Sequence, residues 1–210
     1  MRKILLTGVF VALAFFTAHA QIGAGTISIG GNLEISSTTT KYKFSSGSAD
    51  GPTSSSFAIG PQASYFLSDD FSIGARIAFV SNKTESATGN NTTTSNYFVF
   101  SPMARYHVPM GERFYFFGEG RLDFGFGGGK TKTGSVSVDS DPTNLIGMAV
   151  SPGILFFPGE KIGIEMAFNL LSFHSHVSKD ADDKDDKTVS NSFSFGPDLF
   201  SPSLSVQFYF

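Results

Sequence analysis

The stretch "FHSHVSKD" near the carboxyl end carries the side chains best suited to catalysis, because one residue separates His176 from Ser178. A histidine beside a serine can act as the base that activates the hydroxyl nucleophile, provided that an acidic group orients the imidazole. No Glu follows Glu165, and most later acidic residues lie in the charge-dense loop "KDADDKDDK". We therefore predict that His176 and Ser178 are solvated residues near a strand end and carry no catalysis.

The same segment offers a weak case for a metal site. His174 and His176 would share one face of a strand, but no further ligand is identifiable for a zinc-type site. The Asp-rich loop that follows lacks the Gly and the closing Glu of a calcium-binding EF-hand loop. Cysteine is absent, which excludes disulfides and thiolate ligands. The sequence predicts no metal and no cofactor.

Apolar and polar residues alternate with a period of two through most of the chain, and no segment after residue 20 has a helical period. The elements that position these residues are therefore predicted to be strands. Tight turns such as "SDD", "PMGE" and "PGE" alternate with long connections rich in Ser, Thr, Lys and Asp. The long connections are predicted to be loops, all at one end of the fold. Eight predicted strands cover residues 22–36, 56–67, 71–82, 95–108, 113–128, 144–157, 161–177 and 188–210.

Each predicted strand has one apolar and one mostly polar face. Ile73, Ile77 and Phe79, for example, alternate with Ser72, Gly74 and Arg76. An eight-stranded barrel has an interior just wide enough for side chains, and most of the 24 Phe would overfill it. The polar face therefore fits inside and the aromatic face outside, against lipid. A soluble sandwich or a periplasmic lipocalin-like binder remains the alternative.

Proline precedes the alternating run of every even-numbered strand, at Pro61, Pro102, Pro152 and Pro202. A proline cannot donate to the ladder of a closed sheet. We expect a bulge or a widened pair at each of these positions.

The first twenty residues are typical of a cleaved secretory signal peptide: Arg2-Lys3, an apolar run to Phe16, and small residues at Ala18 and Ala20. Residues 21–210 would then form one barrel domain. Without Arg2 and Lys3, 13 basic residues face 18 acidic ones, a net charge of −5 that gives no support to nucleic-acid binding.

The last strand, "LSVQFYF", places Phe208 and Phe210 at alternating positions, and it resembles the signal by which the barrel assembly machinery recognises outer-membrane barrels. Signal peptide, eight strands, alternating turn lengths and terminal Phe together resemble the small outer-membrane β-barrel family of OmpX and the OmpA barrel. The resemblance implies an all-β, eight-stranded antiparallel up-and-down transmembrane barrel. It also implies a monomer in the Gram-negative outer membrane, in contact with the lipid bilayer and lipopolysaccharide.

In such a barrel, the polar face lines the lumen. Unpaired charges there would be costly, so we predict paired networks that fill the barrel as a structural plug. A small-solute pore or a catalytic carboxylate cluster is the alternative. His176-x-Ser178 also resembles the His-x-Ser arrangement of outer-membrane lipid A deacylases, which implies an enzyme acting on lipid A. We favour a structural or surface-interaction role without catalysis. The predicted lumen residues are Glu34, Arg76, Arg105, His107, Glu119, Arg121, Asp123, Glu165 and Asn169.

Overall fold

The structure is a computed structural model that describes residues 22–179, 187–197 and 202–210. Among these residues there is no helix with the length and apolarity needed to cross a membrane. The predicted signal peptide lies outside the described residues. Ten strands are present: β1 (Ile27–Phe44), β2 (Gly47–Phe66), β3 (Phe71–Glu85), β4 (Asn91–Pro109), β5 (Phe114–Thr133), β6 (Val136–Phe156), β7 (Ile162–Ala167), β8 (Leu171–Lys179), β9 (Lys187–Phe195) and β10 (Ser203–Tyr209).

Eight of these strands close an antiparallel barrel, which confirms the predicted fold class. Strands β1 to β7 pair in chain order, β7 pairs with β10, and β10 pairs with β1. The two remaining strands extend the wall, because β8 pairs with β6 and β9 pairs with β8. Each of the last two predicted strands is therefore divided in two. The predicted seventh strand corresponds to β7 and β8, and the predicted eighth strand corresponds to β9 and β10.

The aromatic face points outward, away from the lumen. Phe98 is 49% exposed and its ring stacks on Phe126 at 5.8 Å between centroids, with Phe79 on its other side at 5.1 Å. Closure of the sheet satisfies the backbone polar groups that hydrocarbon would leave without partners. The outer surface is therefore suited to lipid, and the polar face lines the interior.

The prediction that the long polar connections are loops is wrong for most of the length of the first three. The Asp-rich connection lies largely outside the described residues, at 180–186. β1 continues to Phe44 and β2 begins at Gly47, and a two-residue turn containing Gly134 (φ 58°) joins β5 to β6. Thr and Ser fit a pleated ribbon that is solvated on both faces. Their hydroxyls also pair across strands, for example Thr93 with Thr131 at 3.3 Å. Polar residues on both faces indicate that this part of the strands is surrounded by water. They do not mark the end of a strand.

The first three prolines are accommodated in two ways, and Pro202 lies just before β10, which begins at Ser203. At Pro61 the β2–β3 pairing skips from Ile59 to Gln62 without a change of register, which is a widened pair. Pro102 gives the same gap in the β4–β5 ladder. Opposite Pro152, in contrast, the neighbouring strand segment has one extra residue.

That extra residue is a bulge between β7 and β8. Gly153 pairs with Ala167 and Val150 with Leu171, so three residues oppose two. Because side chains alternate across a strand, the extra residue exchanges the inner and outer faces. A period of two continued from β7 would place Phe168 on the lipid face, and the bulge instead turns it toward an inner cavity. The same exchange turns His174 into the lumen, where it reaches Asp123.

Candidate functional site

The centre of the lumen holds an ion-pair network built around Arg105. Nη1 of Arg105 donates to both carboxylate oxygens of Glu165 at 2.9 Å, and its Nε donates to Glu119 at 2.7 Å. Arg105 lies on β4, Glu119 on β5 and Glu165 on β7, so the network crosses the lumen as well as one strand pair. All three residues are buried. Hydrogen bonds between ionised groups such as these are shorter and stronger than those between neutral groups.

Two further arginines share Glu119 with Arg105. Arg76 Nη2 lies 3.3 Å and Arg121 Nη1 lies 3.5 Å from Oε1 of Glu119. Glu165 is completed by other donors, because Ser205 Oγ donates at 2.9 Å and the Tyr209 hydroxyl at 3.2 Å. The buried carboxylates are thus fully engaged, whereas Arg76 makes one long contact.

Asp123 forms a second centre, one layer closer to the long hairpins. Ser101 Oγ donates to it at 2.6 Å, His174 Nε2 lies at 3.2 Å, and Arg121 Nε lies at 3.3 Å. This group contains the residue types of a hydrolytic triad, but both Ser101 and His174 contact the carboxylate. A nucleophile requires its hydroxyl proton to point at the imidazole, so the arrangement is suited to holding strands together.

His176 and Ser178 lie on the inner face of β8, near its far end. The His176 ring meets Tyr97 edge-on at 6.3 Å, and Thr143 Oγ1 donates to Ser178 Oγ at 3.5 Å. Among the described residues, no hydrogen bond joins His176 to Ser178. Side chains two residues apart on a strand point to the same face. This arrangement does not by itself bring an imidazole nitrogen into hydrogen-bond distance of a hydroxyl, which general-base catalysis needs.

An apolar plug closes the lumen at the end that carries the tight turns. Phe117 and Leu155 are fully buried in it, Phe157 meets Tyr209 at 4.8 Å, and the Arg105 guanidinium carbon lies 4.9 Å from the Phe117 ring centre. Alternation gave a signal for this plug, because Phe66 and Tyr209 are aromatic residues at lumen-facing positions beside the turns. Its members are Ile22, Phe66, Phe117, Leu155, Phe157 and Tyr209.

The other predicted lumen residues lie in three different places. His107 packs against the plug, 5.0 Å from Phe66 between ring centres. Asn169 is in the bulge and donates to Ser172 Oγ at 3.1 Å. Glu34 is exposed and accepts a hydrogen bond of 2.9 Å from Asn32 Nδ2.

A polar cavity of about 180 Å³ remains above the network, on the side away from the plug. Three buried atoms on its wall have no hydrogen-bond partner: Asn32 Oδ1, Arg76 Nε and Asn169 Oδ1. Buried polar atoms of this kind are normally satisfied by water or a ligand. Within residues 22–179, 187–197 and 202–210, no three His, Asp or Glu side chains are grouped to hold a metal ion.

The turn between β2 and β3 has its own hydrogen bonds outside the barrel. The Ser68 hydroxyl donates to Asp70 Oδ1 at 2.6 Å, and the Tyr106 hydroxyl also bonds this carboxylate. These hydrogen bonds hold the pKa of Asp70 below its ordinary value, and the bond from Ser68 has the larger effect.

Comparison with known proteins places this barrel among membrane proteins of the bacterial envelope. A family model described as "Outer membrane protein beta-barrel domain" matches residues 8–196. No curated protein matches the chain.

Several solved structures are similar in fold. Neisserial surface protein A is 14% identical with a TM-score of 0.46, covering 90% of this chain and 99% of that one. OprG of Pseudomonas aeruginosa is 13% identical with a TM-score of 0.49, covering 92% and 99%. Ail, the attachment invasion locus protein of Yersinia pestis, is 17% identical with a TM-score of 0.43, covering 90% and 99%.

Proposed function

The chain belongs to the outer membrane protein beta-barrel domain family, and we propose that it serves the bacterial outer membrane as a structural and surface-interaction protein with a closed lumen and no catalysis. The observation that carries this proposal is the closure of the lumen in two layers. The network of Arg105, Glu119 and Glu165 crosses the lumen, and the apolar plug lies beneath it.

Energetics favour a permanent closure. Removing one partner of a buried ion pair leaves an uncompensated charge, at a cost of about 3–5 kcal/mol. An ion passing the network would have to displace such pairs and then cross the apolar plug, which offers it no ligands. A small barrel of this kind is filled by its own side chains.

Surface interaction would use the polar hairpins at the other end. Tight turns lie on the periplasmic side of outer-membrane barrels and the long hairpins outside the cell. Here the β1–β2 hairpin, residues 36–56, presents Ser, Thr and Lys to solvent on both faces. In this proposal the barrel is a monomer in contact with lipopolysaccharide, exported by residues 1–20 and inserted by the barrel assembly machinery through Phe208 and Phe210.

Conductance in planar bilayers tests the closed lumen. The wild-type protein is expected to give no steady ion-selective channel. A steady channel whose conductance changes in Arg105→Ala would show a pore instead.

A lipid A assay tests the absence of catalysis. Incubation of the purified protein with lipid A is expected to release no acyl chains. Release that disappears in Ser178→Ala would establish a deacylase, and Ser101→Ala would serve as the matched serine control.

A further inference from the structure

The polar cavity above the Arg105 network is a blind pocket that opens away from the plug. Its floor is formed by Arg105, Glu119 and Glu165, which are all buried. Toward the long hairpins its lining includes Glu34, which is exposed, and Ser203, which is half-buried. A solute therefore reaches the cavity from the side of the long hairpins, without crossing the network or the plug.

The positive charge of Arg76, on the cavity wall, is incompletely paired. Its Nη2 lies 3.3 Å from Glu119, a carboxylate that Arg105 and Arg121 also contact. The buried Nε of Arg76 has no hydrogen-bond partner. Because a guanidinium has five N–H donors, Arg76 retains donors for an anionic group in the cavity.

The opposite charge lies at the mouth of the cavity, on Glu34. Glu34 has no cationic partner among the described residues, and it accepts a hydrogen bond of 2.9 Å from Asn32 Nδ2. Because Asn32 donates through Nδ2, its other amide atom is an acceptor, and this Oδ1 is buried without a partner in a side chain that is 9% exposed. Asn169 Oδ1 is a second buried acceptor without a partner on the cavity wall. Together these oxygens favour a cationic group that donates hydrogen bonds.

Gly60 brings the free donor and one of the free acceptors together. It is buried on the lumen-facing side of β2. A Cβ atom at Gly60 would overlap Asn32 Oδ1 and lie 3.1 Å from Cδ of Arg76. The two side chains are thus neighbours around a space that glycine keeps free. One small molecule in this space reaches both of them.

We propose that the cavity binds one small zwitterion that carries an anionic group and a primary ammonium group. The anionic group accepts hydrogen bonds from Arg76, and the three N–H donors of the ammonium group serve Asn32, Asn169 and Glu34. Water in the cavity would satisfy the amide oxygens, but it would leave the charges of Arg76 and Glu34 without partners of opposite sign. The cavity, at 180 Å³, has room for about six water molecules at about 30 Å³ each, which an amino carboxylate or amino phosphate of a few carbon atoms would replace.

This inference goes beyond the role proposed above and does not depend on it. The plug and the Arg105 network close the lumen beneath the cavity whether or not the cavity is occupied. Conductance tests the closure and ligand binding tests the cavity, so each proposal can fail without the other.

Isothermal titration calorimetry in uncharged maltoside micelles tests the proposal, with β-alanine and O-phosphoethanolamine as the probes. We expect saturable binding of one molecule per barrel, and the tighter probe identifies the anionic group as a carboxylate or a phosphate. Arg76→Gln removes a hydrogen bond to a charged group and should weaken binding about tenfold or more. Arg113→Gln, in a tight turn, is the matched control and should bind as the wild type does. Saturable binding of neither probe would mean that the cavity holds water alone, and this result or equal binding by Arg76→Gln would overturn the proposal.

Analogues of the two probes separate the contacts of the ammonium group. Propionate and ethyl phosphate lack this group, and the trimethylated forms of both probes keep the positive charge but cannot donate a hydrogen bond. Each analogue should bind more weakly than its parent zwitterion. Glu34→Gln should reduce the preference for the zwitterion over the analogue without an ammonium group, whereas Glu160→Gln in a tight turn should keep it. Equal affinity of the wild type for a zwitterion and its analogues would contradict the dipolar site.

Side-chain ¹⁵N NMR tests the position in the wild-type protein, so the result does not rely on a variant that folds. The Nε–H resonance of Arg76 should shift as the zwitterion is added, whereas that of Arg113 should stay in place. Gly60→Ala puts a methyl group between Asn32 and Arg76 and should abolish binding. Gly118→Ala, where nothing lies within 4 Å of the added Cβ, should bind as the wild type does. An Arg76 resonance that is unchanged at saturation would overturn the site.

Discussion

Arg105 holds Glu165 through both carboxylate oxygens, each 2.9 Å from its Nη1, although β4 and β7 are separated by two strands of the wall. The contact therefore braces the barrel across its lumen. Glu165→Ala leaves the buried guanidinium short of one partner, and we expect the free energy of unfolding to fall by about 3–5 kcal/mol. Urea unfolding in lipid vesicles, followed by heat-modifiable gel migration, measures this loss.

An exposed ion pair provides the control. Lys41 and Asp50 are paired at 3.7 Å with side chains 66% and 73% exposed. Because surface pairs contribute about 0–1 kcal/mol, Asp50→Ala should change stability little. An equal loss of unfolding free energy in Glu165→Ala and Asp50→Ala would mean that the contact between Arg105 and Glu165 stabilises the barrel no more than an exposed ion pair does.

Phe117 is predicted to maintain both stability and closure. Its side chain is fully buried in the apolar plug, beneath the Arg105 guanidinium. Phe117→Ala should cost about 3–5 kcal/mol and leave a void beneath the network. Liposome swelling should then show entry of small solutes that the wild type excludes. Phe116→Ala, on the lipid-facing side of the same strand, should leave permeability unchanged.

Alternation of side chains made the barrel predictable from the sequence. It separates lipid-facing from lumen-facing residues within each strand, and size then decides which face is inside. It also assigns Arg105 and Glu119 to the same face. Cross-strand register, which alternation leaves open, is what sets these two residues opposite each other.

The bulge at residues 168–170 marks the limit of that reasoning. A period of two continued from β7 would assign Phe168 to the lipid face, and one extra residue reverses the faces for all of β8. The contact between His174 and Asp123 follows from this reversal and had no local signal in the sequence.

Gly153 is predicted to be required as glycine because of the plug. A Cβ atom there would overlap Cζ of Phe117 and lie 2.7 Å from the carbonyl oxygen of Met166. Gly153→Ala must displace the ring or the neighbouring strand, and overpacking of this kind costs about 1–3 kcal/mol. Gly118→Ala is the matched control, since nothing lies within 4 Å of a Cβ at that position. Equal unfolding curves for the two variants would show that the plug adapts freely.

Asp70 is predicted to titrate below its ordinary pKa, because the hydroxyls of Ser68 and Tyr106 donate to its ionised carboxylate. The folded pKa is thus lower than the unfolded one. The carboxylate therefore stabilises the turn fully above the unfolded pKa, and this contribution is lost as the pH falls through the folded pKa. Carboxyl NMR titration in detergent micelles measures the shift. Ser68→Ala removes the larger cause and should move the pKa of Asp70 back toward its ordinary value, whereas Ser86→Ala in the β3–β4 connection should not. An Asp70 pKa at its ordinary value in the wild type would show that these hydroxyls do not hold the carboxylate in the membrane-embedded protein.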